Sequence, residues 1–387
     1  MTFKKAILFA HRWLGFISGI VVFVVCMTGC IFCFQDEIQD AVYSYRHVDH
    51  PHQSYLQPSI LKAKALKDHP GATAGFVAYY GVNRPAGVFV TLPKNKGYLN
   101  VFLNPYTGQI THSEKPEDNF FSIVENIHLY LLLPPKAGSL VVGISVIIFM
   151  VILITGIILW WPKRKTDRKR SLTIKWNARW RRVNYDLHNV LGFYATAVAI
   201  IIALTGLSMV FDCIREGIYS TANLGKAHPE EKVVFKSDSL LRGKTDTVKV
   251  LDLALTKATA QSPKAEMFIL SEDATAAGTT GVNAYSKSLY YYQSDVYTFD
   301  RYTGKQLHRT THAQKSLGMK MNDMNYDLHV GQALGLPGKI IAFLATLVCA
   351  SLPITGFVIW WGKRNKGKSK KGKKKHSNKL DHKLSAF

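Results

Sequence analysis

The sequence predicts a membrane protein in which four transmembrane α-helices form two tandem repeats, with two small α+β domains in the loops between them. Three observations carry this prediction: apolar blocks, a matching order of motifs in both halves of the chain, and basic residues beside the blocks. Each block has about 20 residues with almost no internal charge, enough to cross a hydrocarbon core of ~30 Å as a helix. The blocks are residues 14–34, 140–161, 190–211 and 339–361.

The first block is predicted to be an uncleaved anchor. It lies where a signal peptide would be found, but it is too long for one. It also lacks a small-residue cleavage site before the acidic Asp36 and Glu37. We therefore expect the first block to stay in the protein as a span.

The basic residues indicate the orientation. The net charge of +23 is concentrated before the first block, between the second and third blocks, and after the fourth block. By the positive-inside rule these segments are cytoplasmic, so both termini are expected inside and the two long loops outside. No nucleic-acid partner is expected, because the lysine-rich tail from Lys363 has no interleaved aromatic residues and directly follows a span. The expected partner of these charges is the lipid bilayer.

Two histidines begin the first and third spans in the same way. His11 opens HRWLGFISGIVVFVVCMTG and His188 opens HNVLGFYATAVAIIIALTG, and a glycine follows four residues later, Gly15 or Gly192. Both segments end in Thr-Gly at the same spacing. Because an ionisable side chain at a membrane helix end is a functional-site hypothesis by default, the duplicated histidine is a candidate site residue.

A second pair of histidines precedes the second and fourth spans. His128 and His329 each come before a block that ends in Thr-Gly and then in Trp-Trp. Internal duplication is common among bilayer proteins, and a site at the interface of such repeats is pseudo-symmetric. The chain is therefore predicted to contain two tandem copies.

The two long loops share a predicted order of a helix, several strands and a glycine-containing turn. Alternating apolar and polar residues are typical of half-buried antiparallel strands, and the turns NPYTG and DRYTG are typical of hairpins. Each loop is therefore predicted to be a small α+β domain. The predicted helices are residues 58–69 and 251–261, and the predicted strands are residues 75–80, 87–92, 98–103, 266–270 and 290–299.

The HRWLGF motif, the NPYTG and DRYTG turns, and spans that end TG and WW-x-KR resemble the PepSY-associated transmembrane family over nearly the whole chain except the lysine-rich tail. This resemblance implies PepSY-like periplasmic domains in a multi-pass protein of the bacterial inner membrane. It also implies similarity to di-haem ferric-siderophore reductases of that membrane. The expected segments are 1–34 (cytoplasmic N-terminus and span one), 35–118 (first periplasmic PepSY-like domain), 119–162 (outer helix and span two), 163–187 (basic cytoplasmic loop), 188–212 (span three), 213–320 (second periplasmic PepSY-like domain), 321–362 (outer segment and span four) and 363–387 (lysine-rich cytoplasmic tail).

Given this resemblance, the four histidines are expected to be axial ligands of two haem b groups. Spans one and three run outward and spans two and four run inward. His11 and His188 are therefore expected near the cytoplasmic face, and His128 and His329 near the outer face. Neutral imidazoles on facing helices are good axial ligands for iron.

Other interpretations of the same histidines stay open. A histidine at a membrane interface can simply lie among lipid headgroups. The four residues could also line a metal-ion conduit, although a transporter would favour carboxylates inside the spans and the sequence has none there. Gly15 and Gly192 favour haem, because a missing side chain on the helical face of His11 and His188 gives a flat macrocycle room.

The resemblance implies an oxidoreductase that passes electrons across the membrane to a periplasmic ferric siderophore and releases Fe(II). No Gly-rich dinucleotide fingerprint follows a predicted strand, so the expected donor is quinol or a separate cytoplasmic reductase. Two alternatives are a non-enzymatic PepSY membrane sensor or assembly protein, and a metal-ion transporter. Aromatic residues that could lie between the two haems are Phe149, Phe193, Tyr194 and Phe343.

Several weaker candidates also have ordinary structural explanations. Histidines after the first span have metal-like spacing but fit an exposed loop, and methionines before His329 fit copper binding, a substrate groove or packing. Cysteines on one face of the first span fit a metal site or helix packing. Asp186 and Asp327 fit hydrogen-bond acceptors for the ligands or helix caps, and the boundary tryptophans fit membrane anchors. The histidines of this group are His47, His50 and His52, the methionines are Met319, Met321 and Met324, the cysteines are Cys26, Cys30 and Cys33, and the tryptophans are Trp160, Trp161, Trp360 and Trp361.

Overall fold

The computed structural model describes residues 2–49, 53–162, 164–241 and 247–384. Tertiary contacts divide the chain into two units. The helical unit comprises residues 1–31, 127–210 and 340–387, and the sheet unit comprises residues 32–126 and 211–339. Neither unit is confined to one half of the sequence.

Helices and strands are numbered separately in chain order. The helices are α1 (Phe3–Cys33), α2 (Gln35–Val42), α3 (Pro58–Leu66), α4 (Phe120–Tyr130), α5 (Pro135–Trp160), α6 (Arg168–Leu172), α7 (Trp180–Asp186), α8 (Gly192–Val210), α9 (Asp212–Ala222), α10 (Thr247–Gln261), α11 (Leu317–Asp323), α12 (Asn325–His329) and α13 (Gly335–Leu384). The strands are β1 (Thr73–Tyr79), β2 (Ala86–Thr91), β3 (Tyr98–Leu103), β4 (Ile110–Glu114), β5 (Met267–Glu272), β6 (Thr279–Tyr285), β7 (Ser294–Asp300) and β8 (Gln306–Thr310).

Four helical segments coincide with the predicted spans. Each is long and apolar enough to cross a membrane. A helix satisfies its own backbone hydrogen bonds, which is the condition that a hydrocarbon core imposes on a spanning segment. The segments are Phe3–Cys33, Pro135–Trp160, Trp180–Val210 and Gln332–Arg364.

Small side chains let the helices of the helical unit approach closely. A Cβ placed on Gly19 of α1 would lie 3.3 Å from Cβ of Pro353 in α13. In lipid, van der Waals packing of this kind replaces the hydrophobic effect as the force between helices, which favours small residues at the contact. The buried cluster of the unit consists of Val22, Phe149, Leu153, Ala195, Ala199, Ala345 and Cys349.

Two of the predicted site histidines lie further inside their helices than the sequence suggests. Helix α1 begins at Phe3, so His11 lies about two turns after the start of the helix. Before α8, residues Leu187–Leu191 form a π-helical turn that continues from α7 and contains His188. Such turns are rare within α-helices and are frequent at functional sites.

The sheet unit contains one antiparallel sheet of eight strands, in the order β4-β3-β2-β1-β5-β6-β7-β8. Strands β1 to β4 come from the first long loop, and β5 to β8 come from the second. The two sets join where β1 pairs with β5, which places Val77 opposite Leu270 and Tyr79 opposite Phe268. The two predicted α+β regions are therefore halves of one sheet, not separate domains.

Helices α3 and α10 pack on this sheet and against each other, and they tie the two halves together. Ser59 of α3 donates to Asp252 of α10 through its backbone N–H at 2.9 Å and its hydroxyl at 2.6 Å. Lys62 of α3 forms an ion pair with Glu272 of β5. One buried cluster contains residues of both helices and of strands from both loops, so the halves share a core.

The two predicted hairpin turns are present, and both require glycine. Gly108 and Gly304 have positive φ angles of 69° and 68°. Glycine reaches this left-handed region without the steric cost that a Cβ imposes. Asn104 and Asp300 begin the turns, and the side-chain oxygen of each accepts two backbone N–H groups of its turn.

The sequence prediction omits β4, β6 and β8. Strand β6 carries Gly281 and Asn283, residue types that strands disfavour, yet partners on both sides hold it in the sheet. Strands β4 and β8 have five residues each and lie at the two sheet edges, where polar residues are common. Their short polar sequences give little alternation to detect.

An ion network connects α2 to the segment that follows it and to the loop between β1 and β2. A carboxylate oxygen of Asp40 accepts from Nε of Arg46 at 2.6 Å, and the other accepts from Nη2 of Arg84 at 2.5 Å. Arg46 also pairs with Asp36 at 2.9 Å. Burial alone would raise the pKa of Asp40, but the hydrogen bonds and charges of the two arginines outweigh burial and lower the pKa below its usual 3.8. The network therefore favours the ionised carboxylate.

Candidate functional site

The helical unit brings together two of the four predicted ligands, His11 of α1 and His188 of the π-helical turn. Their imidazole centroids lie 6.5 Å apart, and the ring planes are nearly perpendicular at 87°. Both residues are half-buried. Two side chains far apart in the sequence thus form one site, while their role as ligands stays a prediction.

A threonine hydroxyl is hydrogen-bonded to Nδ1 of each ring. Nδ1 of His11 lies 2.9 Å from Oγ1 of Thr155, and Nδ1 of His188 lies 2.9 Å from Oγ1 of Thr355. These bonds leave Nε2 of each ring without a hydrogen bond to the described part of the chain. Nε2 is thus the nitrogen of each ring that remains to bind a ligand.

His128, the third predicted ligand, is held in the same way within the helical unit. Its Nδ1 lies 3.2 Å from Oγ1 of Thr28 and 2.9 Å from the carbonyl oxygen of Val25, both on α1. A carbonyl oxygen can only accept, so Nδ1 of this ring carries the proton.

A glycine follows each of these threonines, and the histidine ring packs over it. A Cβ added to Gly156 would lie 3.5 Å from Cε1 of His11, and one added to Gly356 would lie 3.2 Å from Cε1 of His188. The corresponding distance from Gly29 to Cε1 of His128 is 3.2 Å. The absent side chain therefore lets each imidazole lie against the helix surface.

A cavity of about 640 Å³ surrounds His11 and His188 in the helical unit. This volume is in the range typical of cofactor sites. Its wall is mostly apolar and aromatic, and Trp160 and Phe193 in that wall stack with ring centroids 3.6 Å apart. Three cations line the same cavity: Arg12, Lys363 and Arg364.

The two predicted clearance glycines differ in their surroundings. Both Gly15 and Gly192 line the cavity. A Cβ on Gly15 would meet nothing within 4 Å, whereas a Cβ on Gly192 would lie 3.3 Å from Cδ2 of Leu352. Gly15 thus faces open space beside His11, and Gly192 permits close helix packing. Their role beside a macrocycle stays a prediction.

His329, the fourth predicted ligand, ends α12 in the sheet unit. Its pairing with His128 stays a prediction from the sequence. Asp327, two residues before it, is fully buried and accepts the backbone N–H groups of Tyr291 and Tyr292 and the side-chain amide of Gln332. This carboxylate therefore fixes the loop after β6.

Asp186 has a different set of partners, although it occupies the same place in the repeated NYDLH motif. It accepts from the Arg182 guanidinium and from the backbone N–H of Lys175. Within the described residues, neither Asp186 nor Asp327 contacts a histidine ring or caps the N-terminus of a helix. Both carboxylates tie segments of their own unit together.

The weaker candidates have structural partners where the structure describes them. Nε2 of His47 lies 2.8 Å from the carbonyl oxygen of Asp40, while His50 and His52 lie outside the described residues. The thiols of Cys30 and Cys33 donate weakly to backbone carbonyls, which is consistent with packing. Met319, Met321 and Met324 lie in and directly after α11, which packs against α9.

Three features of the site are missing from the sequence prediction. The Thr-Gly pairs are visible there only as repeat markers, and their contacts with the rings of His11, His128 and His188 appear only in the structure. The π-helical turn at His188 has no sequence signature. Trp160 and Trp360, expected as membrane anchors, line the cavity.

Comparison with known proteins agrees with the architecture. The chain matches the model of the family described as the PepSY-associated TM region over residues 8–363. No curated protein matches the chain. Because the family match covers most of the sequence, the protein belongs to that family. With its four apolar helices it is a multi-pass membrane protein, and the lipid bilayer is its partner.

Proposed function

We propose that this member of the PepSY-associated TM region family is a haem-containing reductase of the bacterial inner membrane. It passes electrons across the membrane to a periplasmic ferric siderophore and releases Fe(II). The observation that carries the proposal is the pair of histidine rings in one cavity. Each ring is hydrogen-bonded to a threonine through Nδ1, and its Nε2 has no hydrogen bond to the described residues. The siderophore itself is inferred from the family resemblance.

The histidine pair fits the axial positions of haem iron. Two imidazoles bound to one metal through nitrogen at ~2 Å each have ring centroids roughly 6 Å apart. The centroids of His11 and His188 are 6.5 Å apart. Two protein ligands also suit an iron whose other ligands come from a macrocycle.

The cavity fits the rest of the group. Haem b is a flat apolar ring with two carboxylates, and this cavity has an apolar, aromatic wall with cations from Arg12, Lys363 and Arg364. Nε of Arg12 is buried and has no hydrogen-bond partner in the described part of the chain. A carboxylate beside this guanidinium would satisfy it.

Haem b, when bound, supplies the exchange of one electron at its iron. The chain provides neutral imidazoles, threonine acceptors behind them and an apolar wall, which together set the potential at which that exchange occurs. No general base is needed, because a one-electron reduction of Fe(III) moves no proton on the protein. Release follows from the weaker hold of a hard oxygen ligand on Fe(II) than on Fe(III).

The spacing of the histidine sites along α1 sets the distance that electrons must cover. His128 is held at Val25 and Thr28, which lie 14 to 17 residues after His11 on the same helix, or ~21–26 Å along its axis. Phe149 is buried in the helical core and also lines the first cavity. Tyr194 is 58% exposed, so Phe149 is the better candidate for an intermediate aromatic.

Orientation and donor follow from the sequence. By the positive-inside rule, the basic segments favour a cytoplasmic position for the His11 and His188 site, where quinol or a separate cytoplasmic reductase would deliver electrons. The second predicted haem, on His128 and His329, would lie toward the periplasm. The loops that form the sheet unit are then periplasmic.

Reoxidation of the reduced protein tests the acceptor. Protein in detergent is reduced with a stoichiometric amount of dithionite and mixed with ferric hydroxamate or ferric catecholate siderophores. We expect the reduced haem bands to disappear and one Fe(II) to appear per electron, captured by a colorimetric chelator. The gallium complexes of the same siderophores, which bind alike but are not reduced, are the matched control and should leave the bands unchanged. Persistent reduced bands with both iron complexes would contradict the siderophore as acceptor.

A further inference from the structure

The Thr-Gly pairs that end the apolar runs hold histidines through one recurring geometry. In three pairs the threonine oxygen lies within 2.9–3.2 Å of a histidine Nδ1. In each of the three, the following glycine lies against Cε1 of the same ring. The three pairs are Thr155-Gly156 with His11, Thr355-Gly356 with His188 and Thr28-Gly29 with His128.

The direction of these hydrogen bonds is set by the helices. The hydroxyl of Thr155 is 2.9 Å from the carbonyl oxygen of Val151, and the hydroxyl of Thr355 is 3.0 Å from that of Ser351. A hydroxyl has a single proton to donate, and here it is donated in a hydrogen bond to the helix carbonyl. The threonine oxygen is therefore left as an acceptor, so the proton between threonine and histidine belongs to Nδ1.

His128 confirms this direction independently. Its Nδ1 also lies 2.9 Å from the carbonyl oxygen of Val25, which cannot donate. The hydroxyl of Thr28 is bound to the carbonyl oxygens of Val24 and Val25, at 2.8 and 3.0 Å. The same arrangement thus occurs at both ends of α1.

We propose that Thr155, Thr355 and Thr28 are positioning residues that lock His11, His188 and His128 in the Nδ1–H tautomer. For His11 and His188, this lock presents Nε2 to iron. The presentation to iron rests on the proposed function, whereas the tautomer lock does not. A threonine oxygen is a neutral acceptor, so the imidazoles remain neutral ligands and gain none of the added basicity that a carboxylate partner gives. The following glycine fixes the height of the ring over the helix.

The experiment compares Thr355→Val, which keeps the shape of the side chain and removes the acceptor, with Thr355→Ser, which restores a hydroxyl. Thr196→Val is the matched control. Thr196 lies in α8 and is more buried than Thr355, and its hydroxyl binds the Gly192 carbonyl at 2.6 Å. Two readouts are taken: ¹⁵N NMR of histidine-labelled haem-free protein, and haem affinity by titration.

In the haem-free protein we expect Thr355→Val to remove the Nδ1–H signature of one ring, while Thr355→Ser and Thr196→Val keep it. In the titration we expect Thr355→Val to weaken haem binding at this site roughly 10–100-fold, the effect usual for losing the partner of a histidine ligand. A tautomer unchanged in Thr355→Val, or rings that carry the proton on Nε2 in the unmutated protein, would overturn the tautomer lock. Equal haem affinity of Thr355→Val and Thr196→Val would overturn the presentation to iron. If no variant and no unmutated protein binds haem, the proposed function fails, and the NMR result alone decides the tautomer lock.

Discussion

The ring of His11 lies 6.5 Å from the ring of His188, centroid to centroid, inside one cavity of the helical unit. Both rings are held through Nδ1, by threonines on two different helices. Four helices must therefore be in place before this pair exists, which makes the site a product of the assembled bundle. A site of this kind is expected to be rigid, since each ring is fixed by a hydrogen bond on one side and helix packing on the other.

Adding one methyl group behind each ring should give unequal effects. The Cβ of Gly356→Ala would lie 3.2 Å from Cε1 of His188, tighter than ordinary contact, whereas the Cβ of Gly156→Ala would lie 3.5 Å from Cε1 of His11. We expect Gly356→Ala to cost ~1 kcal/mol of haem binding, about fivefold in affinity, and Gly156→Ala to change affinity less than twofold. Haem titration of both variants measures this. Equal losses would show that ring height over the helix does not matter.

The positive charge of Arg12, which lines the cavity, should raise the midpoint potential of the haem. Removing a positive charge near haem favours the oxidised iron, because Fe(III) carries one more positive charge than Fe(II). We expect Arg12→Gln to lower the midpoint potential by roughly 30–60 mV, where 59 mV corresponds to a tenfold change for one electron. Redox titration with dithionite measures the shift. Arg168→Gln, at an exposed arginine of α6, is the control and should leave the potential unchanged.

Acid should weaken the ion network of α2. The pKa of Asp40 is lowered in the folded protein because Arg84 and Arg46 outweigh its burial. A carboxyl with a lowered folded pKa contributes stability that is present above its unfolded pKa and is lost as pH falls through the folded pKa. We expect Asp40→Asn to lower the free energy of unfolding by roughly 1–2 kcal/mol at pH 7. Below pH 4 the variant and the unmutated protein should differ less in thermal stability, because the unmutated protein has then lost the contribution of the Asp40 carboxylate.

Asp212→Asn provides the comparison for that measurement. Asp212 also pairs with an arginine, Arg215, at 2.7 Å, but its side chain is 84% exposed. Thermal unfolding of this variant should match the unmutated protein within ~0.5 kcal/mol at both pH values. If Asp40→Asn behaved like Asp212→Asn, the network would not contribute to stability.

The shared sheet predicts that its two halves unfold together. Leu270 is fully buried and lies opposite Val77 at the junction of β1 and β5. Leu270→Ala should destabilise the sheet unit by about 2–5 kcal/mol. Hydrogen exchange should then rise in strands from both loops, including β2 and β3. Leu240→Ala, at a side chain that is 80% exposed, should change neither half. Faster exchange confined to β5 to β8 would indicate two independent domains.

The spans could be predicted from sequence because the bilayer demands long uncharged helices, and hydropathy records that demand directly. Strands with regular alternation, such as β3, could also be predicted, because alternating apolar and polar residues are a local pattern of a half-buried strand. The junction of β1 with β5 could not, since pairing of Tyr79 with Phe268 joins residues remote in the chain and leaves no local pattern. Strand β6 could not be predicted either, because Gly281 and Asn283 are residue types that strands disfavour and only the pairing with β5 and β7 holds them in the sheet.

At the site, the histidines were detectable because duplication singled them out, whereas the threonines were not. A threonine in a membrane helix commonly bonds to its own preceding turn, as Thr155 does to Val151, so its sequence context is that of an ordinary helix residue. Its second role appears only when another helix brings His11 to its free lone pair. That contact depends on how α1 and α5 pack, which leaves no local pattern in the sequence.

The absorption spectrum of the purified protein before and after dithionite tests the central claim most directly, and His188→Ala is the informative variant. We expect the protein, expressed with ample haem, to be red and to show sharp reduced α and Soret bands, with His188→Ala losing the haem of this cavity. Haem content determined as the pyridine complex should fall accordingly. A colourless protein would contradict the account and favour a sensor, an assembly protein or a metal-ion transporter. Full haem content in His188→Ala would contradict the assignment of this pair as the ligands.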